Sequence, residues 1–343
     1  MRDFNPQVLG MFGIMRHYRV TRAYGAYICE TPLGLKIIKE SHESEGELLF
    51  AHSVKEHLYQ SGFRCIDRYC VTEEGLPYVE FNKELLTVRN WIGGDEAELE
   101  SLEDAMLVAR QLGQMHTFCT GLDPMEGSRI SMRWYEVPER MEKRLRQMQG
   151  FCKMVRRSSR YTDFDLLFLD HFQEHYDEAK EASELMSGPE YQSEAHLAET
   201  QWAFGHNNYS NHCVYKARGQ LLIAGFEKSC FMLPILDFVK LYEKILRKYD
   251  WDYDIGMRIL EEYEKCQKLN PWEEKILFAS LLFPERFWIL AEAAYSSKRN
   301  WYPGILAQTG GDYRAKKSAP AFFEALSHGI RFVRFGENIF PFF

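Results

Sequence analysis

The sequence predicts an α+β protein of two lobes, a small β-rich N-lobe over residues 1–92 and a large, mainly helical C-lobe over residues 93–343. Two observations predict this division. Short runs rich in β-branched and aromatic residues dominate the first part, whereas long amphipathic patterns dominate the second. The glycine pair Gly93 and Gly94, directly after Trp91, is the natural hinge between them.

The N-lobe pattern predicts a five-stranded sheet and one helix. The helix is expected over 47–60, where apolar residues recur at spacings of three and four and Gly62 follows. Six β-rich runs that alternate with turn residues are candidates for these strands, at 18–24, 26–31, 35–40, 64–71, 77–81 and 84–91.

The C-lobe pattern predicts a series of amphipathic helices. The first begins at Ser101, where Asp104 completes a capping-box pattern. A strand–turn–strand element over 213–224 interrupts the series. The other helices are expected at 138–149, 163–186, 233–249, 251–267 and 272–298.

Composition narrows the class of function. Hydrophobic residues make up 45% and aromatic residues 15% of the chain, which indicates a packed globular protein. A net charge of −8 argues against nucleic acid or an anionic membrane surface as the main partner. No apolar run approaches the roughly 18–20 residues of a membrane helix, and the first residues do not resemble a signal peptide. Eight scattered cysteines without a Cys-x-x-Cys pattern predict reduced thiols and synthesis in a cytoplasm.

Three segments carry a resemblance to a known family. They are residues 31–39, which end in Lys39, residues 90–94 at the hinge, and residues 273–301, which contain the run from Phe283 to Trp301. Together they resemble the CotS/YutH-type endospore coat-associated proteins of the kinase-like superfamily, which are similar to aminoglycoside and choline kinases. The resemblance extends from about residue 12 to about residue 302, and it implies a two-lobed protein-kinase-like fold.

The same resemblance indicates where a catalytic loop would lie. Active members carry the pattern His-x-Asp-x-x-x-x-Asn, in which Asp is the base and Asn is a magnesium ligand. This chain keeps the histidine as His206, but Asn208 stands at the Asp position and Cys213 at the Asn position. Downstream, an ungapped alignment places Gly225 at the metal-binding Asp, whereas Asp237, which would anchor the loop from a helix, is retained.

These replacements predict a catalytically inactive protein that holds no metal and no cofactor. The amide of Asn208 cannot accept a proton from a substrate hydroxyl, and general-base catalysis contributes ~10²–10⁴-fold. Magnesium prefers oxygen ligands, and neither Cys213 nor Gly225 has a side-chain oxygen. Glu227 could supply one oxygen, and one ligand does not rebuild the site.

Lys39 matches the phosphate-contacting lysine of the family. It is expected to give ATP a weak contact at most, and a solvated lysine at a strand end is an equal alternative. The helix glutamate that would pair with Lys39 stays open among Glu45, Glu47 and Glu56.

Two other patterns have a functional and a structural interpretation. His171 and His175 match the His-x-x-Glu-His zinc pattern, but they share a helix face with phenylalanines and lack an obvious third ligand, so a core seam is preferred. Asn211 could replace the lost metal ligand, although a turn-forming asparagine is preferred. The aromatic tail beyond the resemblance, with Phe322 to Phe343, is expected to pack on the large lobe or to serve in assembly.

The resemblance implies a role in the spore coat. The protein would be made in the mother-cell cytoplasm and deposited in the coat, where its partners would be other spore coat proteins and neither nucleic acid nor membrane. Two alternatives are a nucleotide-binding pseudokinase, which would bind ATP weakly, and a residual small-molecule phosphotransferase.

Overall fold

The computed structural model describes residues 5–296, apart from residues 24, 92 and 218. The expected aromatic tail and the end of the family-like run, at 297–301, lie outside the described residues, as does Ile92 at the predicted hinge. The helices are α1 (Gln7–Met11), α2 (Glu45–Ser61), α3 (Leu102–His116), α4 (Glu136–Arg156), α5 (Asp163–Met186), α6 (Pro189–Thr200), α7 (Ile235–Lys248), α8 (Tyr253–Glu264), α9 (Pro271–Leu282) and α10 (Glu285–Tyr295). The strands are β1 (Val20–Ala23), β2 (Ala26–Thr31), β3 (Gly34–Ser41), β4 (Val79–Phe81), β5 (Glu84–Asn90), β6 (Asp95–Glu96), β7 (Phe204–Gly205), β8 (Val214–Ala217), β9 (Gln220–Ile223) and β10 (Cys230–Phe231).

The N-terminal sheet is five-stranded and antiparallel, in the order β1-β2-β3-β5-β4. In its register Lys39 of β3 lies opposite Thr87 of β5, and Ile37 lies opposite Arg89, so these four side chains share one face. Helix α1 packs on the other face, in a cluster with Ile38 and neighbouring residues. The face of Lys39 and Arg89 is therefore the one turned towards α2, whose core cluster includes Leu85 of β5.

Helix α2 has a well-defined start and end. Ser44 and Glu47 form a capping box, in which each side chain accepts a hydrogen bond from the backbone N–H of the other residue. Gly62 ends the helix with a φ of 116°, a conformation that a residue with a Cβ adopts only with strain. The capping box and Gly62 thus set the first and last residues of α2.

Two smaller sheets follow in the chain. Strands β6, β8 and β9 form one antiparallel sheet, and β7 pairs with β10 to form the other. An isolated parallel bridge joins Ile66 to Ile223 of β9, and Asp67 N–H donates to the Ile223 carbonyl at 3.1 Å. These pairings bring the loop after α2 next to the segment that follows β9.

The later helices are held by an aromatic seam. Helix α5 presents Phe164, Phe168 and Phe172 along one buried face. The ring of Phe168 stacks on Phe287 of α10 with a centroid distance of 5.2 Å and an interplanar angle of 5°. Offset stacking of this kind adds to the free energy gained by burying the rings. The same seam receives Tyr295, whose hydroxyl donates to Asp165 at 2.9 Å.

The predicted α+β fold class is confirmed, and helix α5 has the predicted bounds. Two local predictions are wrong. Residues 64–71 form no strand, because they make only isolated bridges at Ile66 and Tyr69. The single helix predicted over 272–298 is two helices, since Pro284 lacks a backbone N–H donor and breaks the ladder. Helices α1 and α6 were not predicted.

The described chain divides into two compact units. One contains the residues up to Met132 together with Glu199–Asp237, and the other contains Arg133–Ala198 and the residues from Phe238 onwards. The predicted division at residue 92 stays a prediction. Within the described residues, no helix is long and apolar enough to cross a lipid bilayer. All eight cysteines have free thiols.

Candidate functional site

The three positions that the resemblance predicts to be replaced, Asn208, Cys213 and Gly225, lie in the first unit. Strand β7 leads into the loop 206–213, which ends in a 3₁₀ turn before β8. The Cys213 thiol donates to the Asn208 carbonyl at 3.3 Å, and a Cβ on Gly225 would lie 3.4 Å from the Cys213 sulfur. Asn208, Cys213 and Gly225, which the family resemblance identified in the sequence, therefore lie at one place in the fold.

The retained His206 and Asp237 form a buried brace. The backbone N–H of His206 donates to Asp237 Oδ2 at 2.6 Å, and its ring Nε2 lies 3.0 Å from the Ala224 carbonyl. Burial lowers the pKa of His206, although the negative charge of Asp237 opposes the shift. The neutral ring can therefore donate to the Ala224 carbonyl and hold the loop against the segment that contains Gly225.

The brace depends on a glycine. A Cβ added to Gly205 would lie 2.7 Å from Asp237 Oδ2 and 2.9 Å from the Met232 side chain. Such distances do not occur in relaxed structures, so only glycine lets the Asp237 carboxylate approach the backbone at this point.

Cys213 and Gly225 do not fit a magnesium ion. Cys213 offers a thiol, and burial raises its pKa, so it is protonated and a poor ligand for a hard cation. Gly225 offers no side chain, and it has a φ of 85°. The nearest carboxylate, Glu227, already accepts hydrogen bonds from Tyr69 and Arg89. Within the described residues no group of three His, Cys, Asp or Glu side chains is placed to hold a metal ion.

Two asparagines in the loop have different surroundings. Asn208 is exposed. Asn211 is buried, and its Nδ2 donates to the Ala97 carbonyl at 2.9 Å. Its side chain thus ties the 3₁₀ turn to the chain after β6.

Lys39 is exposed and has no ion pair with another described residue. The three candidate glutamates have other partners. Glu45 accepts from the Tyr78 hydroxyl, Glu47 caps α2, and Glu56 pairs with Arg68 at 2.6 Å. None of them pairs with Lys39 in the described chain.

A buried charge network, which sequence reasoning missed, lies beside Gly225. Lys55 Nζ of α2 is 3.0 Å from Asp67 Oδ1, and Arg89 NH1 of β5 is 2.6 Å from Asp67 Oδ2. Arg89 NH1 is also 3.5 Å from Glu227 Oε1, which accepts from the Tyr69 hydroxyl at 3.0 Å. We call these five residues the internal network. Four separate segments of the chain contribute to it.

In the internal network, each buried charge lies near a charge of the opposite sign. Burial raises the pKa of Glu227, but the charges of Lys55 and Arg89 outweigh this effect and hold it at about 2. Burial lowers the pKa of Lys55, and Asp67 and Glu227 oppose the shift. The Lys55 ammonium also lies 3.8 Å from the centre of the Tyr69 ring, a cation–π contact.

One signal in the sequence could have revealed the network. Lys55 falls on the same helical stripe as Leu48, Ala51 and Leu58, and its side chain is 0% exposed. A lysine in the apolar stripe of a helix is buried only when it is paired. The identity of its partner depends on the tertiary fold.

The zinc-like pattern in α5 has a structural explanation. His175 Nδ1 lies 3.0 Å from Glu178 of the same helix, and its ring centroid is 4.4 Å from that of Phe287. His175 is thus part of the aromatic seam, which agrees with the preferred interpretation.

Known structures resemble this chain along almost its whole length. The crystal structure of an aminoglycoside phosphotransferase from Alicyclobacillus acidocaldarius matches with a TM-score of 0.80 and 19% identity, covering 96% of this chain and 97% of the other. The chain has a kinase-like fold. Spectinomycin phosphotransferase bound to AMP matches with a TM-score of 0.55 and 12% identity, and the match covers 95% of this chain and 97% of that enzyme. Amicoumacin kinase bound to AMP-PNP matches with a TM-score of 0.55 and 13% identity, and the match covers 97% of this chain and 96% of the kinase.

These similarities support the kinase-like part of the resemblance. No known protein-family model matches the sequence. That the loop 206–213 and the segment that contains Gly225 correspond to the catalytic and metal-binding segments of this fold stays a prediction from the family resemblance.

Proposed function

We propose that this protein is a catalytically inactive kinase-like protein that acts through protein contacts in the assembly of the bacterial endospore coat. The observation that carries the first part is the loop 206–213. It keeps the structural histidine, His206, but it has Asn208 and Cys213 where the resemblance expects a base and a metal ligand.

The chemistry of phosphoryl transfer makes these replacements severe. The reaction depends on positioning and on the neutralisation of phosphate charge by metal ions. Without oxygen ligands at 213 and 225, magnesium would be held by the nucleotide and water alone, as in solution. Coupling between two ligands is reciprocal. Because the protein does not favour magnesium binding, magnesium cannot tighten the binding of the nucleotide to the protein.

The coat role rests on the likeness to CotS/YutH-type proteins, above all in the run from Phe283 to Trp301. By this proposal the protein is made in the mother-cell cytoplasm and then moves to the coat, where it binds other spore coat proteins. Immunodetection in fractions of sporulating cells tests this part. We expect signal in the mother cell and then in purified spores, and signal confined to vegetative cytoplasm would contradict it.

A nucleotide-binding pseudokinase is the second candidate. Two structures of the same fold contain AMP or AMP-PNP, and Lys39 remains exposed on the face of the sheet turned towards α2. By this alternative the protein binds ATP weakly through Lys39 and transfers no phosphate. A residual small-molecule phosphotransferase would in addition need Glu227 to recruit metal.

Thermal-shift titration with ATP, with and without magnesium, separates these functions. For the inactive protein we expect that magnesium does not enhance any ATP-induced shift and that no phosphate is released. A salt-sensitive shift without magnesium, lost in Lys39→Ala, would indicate the pseudokinase. Magnesium-dependent ATP consumption that is abolished in Lys39→Ala would show a working phosphotransferase.

A further inference from the structure

The internal network joins the sheet and helix α2 to the segment that follows β9. Lys55 comes from α2, Asp67 and Tyr69 from the loop after it, Arg89 from β5, and Glu227 from the 3₁₀ turn Phe226–Lys228. The side chains of Lys55 and Asp67 are 0% and 3% exposed, so water hardly screens their interaction.

The charges of the network balance without any ligand. Lys55 and Arg89 supply two positive charges, and Asp67 and Glu227 supply two negative ones. Arg89 is the bridging member, because its NH1 lies 2.6 Å from Asp67 and 3.5 Å from Glu227. A buried group of charges is tolerated when each charge is paired in this way.

Active kinases hold the equivalent region with other charges. There, metal ions bridge the nucleotide phosphates and a protein carboxylate in the segment at the Gly225 position, and a lysine–glutamate pair orders the helix. Here Gly225 has no carboxylate and Lys39 has no glutamate partner among the described residues. The internal network lies next to this place, since a Cβ on Gly225 would be 4.0 Å from Glu227 Oε2.

We propose that the internal network is a built-in lock that holds the 224–228 segment in one position without nucleotide or metal. The lock is also autoinhibitory, because Arg89 and Tyr69 engage Glu227, the carboxylate nearest to Gly225. Restoring the base at 208 and the metal ligands at 213 and 225 is therefore not enough to create a magnesium–nucleotide site while Arg89 keeps its contact with Glu227. The inference does not depend on the spore coat role.

Hydrogen–deuterium exchange on the full chain tests the lock directly. In the wild-type protein we expect slow exchange of the backbone amides at 224–229, unchanged by magnesium and ATP. In Glu227→Gln the exchange of these amides should rise by about tenfold or more, because a charge-assisted contact across the lock is weakened.

Glu56→Gln is the matched control. It also removes a carboxylate that faces the loop after α2, but its ion pair with Arg68 is partly exposed and outside the network. Exchange at 224–229 should stay at the wild-type level in this variant. An equal rise in both variants, or no rise in Glu227→Gln, would overturn the lock.

Tyr69→Phe provides a milder variant in case Glu227→Gln does not fold. It removes only the hydroxyl that donates to Glu227 and keeps the ring beside Lys55. A rise in exchange smaller than tenfold is expected at 224–229, and wild-type exchange there would count against the lock.

The autoinhibitory part has its own experiment. A restored protein with Asn208→Asp, Cys213→Asn and Gly225→Asp is compared with the same protein carrying Arg89→Met. A magnesium-dependent ATP thermal shift is expected only in the second, and the same shift in both would refute autoinhibition. ATP turnover by the unmodified protein would instead refute catalytic inactivity, and it would leave the exchange result at 224–229 standing on its own.

Discussion

The ammonium group of Lys55 lies 3.0 Å from the Asp67 carboxylate in the interior of the first unit, and the two side chains are 0% and 3% exposed. The two groups form a buried ion pair. Removing one partner leaves the other charge in a medium that solvates it poorly. This pair therefore gives the first prediction.

Lys55→Met should lower the free energy of unfolding by ~3–5 kcal/mol, because Asp67 would keep only Arg89 as a charged partner. Urea denaturation followed by circular dichroism measures the change. Glu56→Gln, which breaks the partly exposed pair with Arg68, should cost no more than ~1 kcal/mol. Equal losses in the two variants would mean that burial does not set the strength of these pairs.

The second prediction concerns acid stability. The folded pKa of Glu227 is about 2, below its ordinary value of 4.5, so its contribution to stability is present above pH 4.5 and is lost as the pH falls towards 2. Its magnitude is about 3 kcal/mol, from 1.36 kcal/mol per pKa unit. The difference in unfolding free energy between the wild type and Glu227→Gln should shrink across this range. A constant difference from pH 5 to about 2 would contradict the prediction.

Glu273 provides the third prediction, with the opposite sign. Burial and the neighbouring Glu194, Glu264 and Glu274 raise its pKa from 4.5 to about 7. The protonated form is thus favoured in the folded state, and its contribution to stability is present below pH 4.5 and is lost as the pH rises through 7.

Glu273→Gln should remove this pH dependence, because glutamine stays neutral and can still accept the Asn270 N–H hydrogen bond at the start of α9. Above pH 7 we expect the variant to melt at a higher temperature than the wild type. The gain in the free energy of unfolding should be on the order of 1–2 kcal/mol after allowance for partial solvent exposure. Melting curves from pH 4 to 8 follow the effect. Parallel curves for the two proteins would show that Glu273 does not titrate in this range.

A pair of glycines gives the fourth prediction. Gly205→Ala would place a Cβ 2.7 Å from Asp237 Oδ2, so it should push Asp237 away from His206 and cost about 1–3 kcal/mol as an overpacked site. Gly150 lies inside α4, where an added Cβ would have no packing neighbour within 4 Å, and Gly150→Ala should stabilise the protein by roughly 0.5–1 kcal/mol. Thermal denaturation of both variants distinguishes the two effects by their sign. Destabilisation by Gly150→Ala, or none by Gly205→Ala, would contradict this account.

The sequence determined those features that short-range pattern controls. Helix α5 occupies the predicted 163–186, because its apolar spacing repeats through the whole stretch and Thr162 caps its start. The loop 206–213 was located by its resemblance to a family motif, and it lies between β7 and β8. At Pro284 the apolar spacing predicted one continuous helix, whereas the proline ends α9 and α10 begins after it, so the prediction of one helix was wrong.

Only the tertiary structure decided which charges meet. Lys55, Asp67, Arg89 and Glu227 are far apart in the sequence, and no local pattern specifies that they share one interior site. Their pairing follows from the packing of α2 on the sheet and from the bridge between Ile66 and Ile223. The same packing leaves Lys39 exposed and gives Glu45, Glu47 and Glu56 other partners. A sequence records which residues can carry charge, whereas burial and the geometry of packed elements decide which charges must be paired.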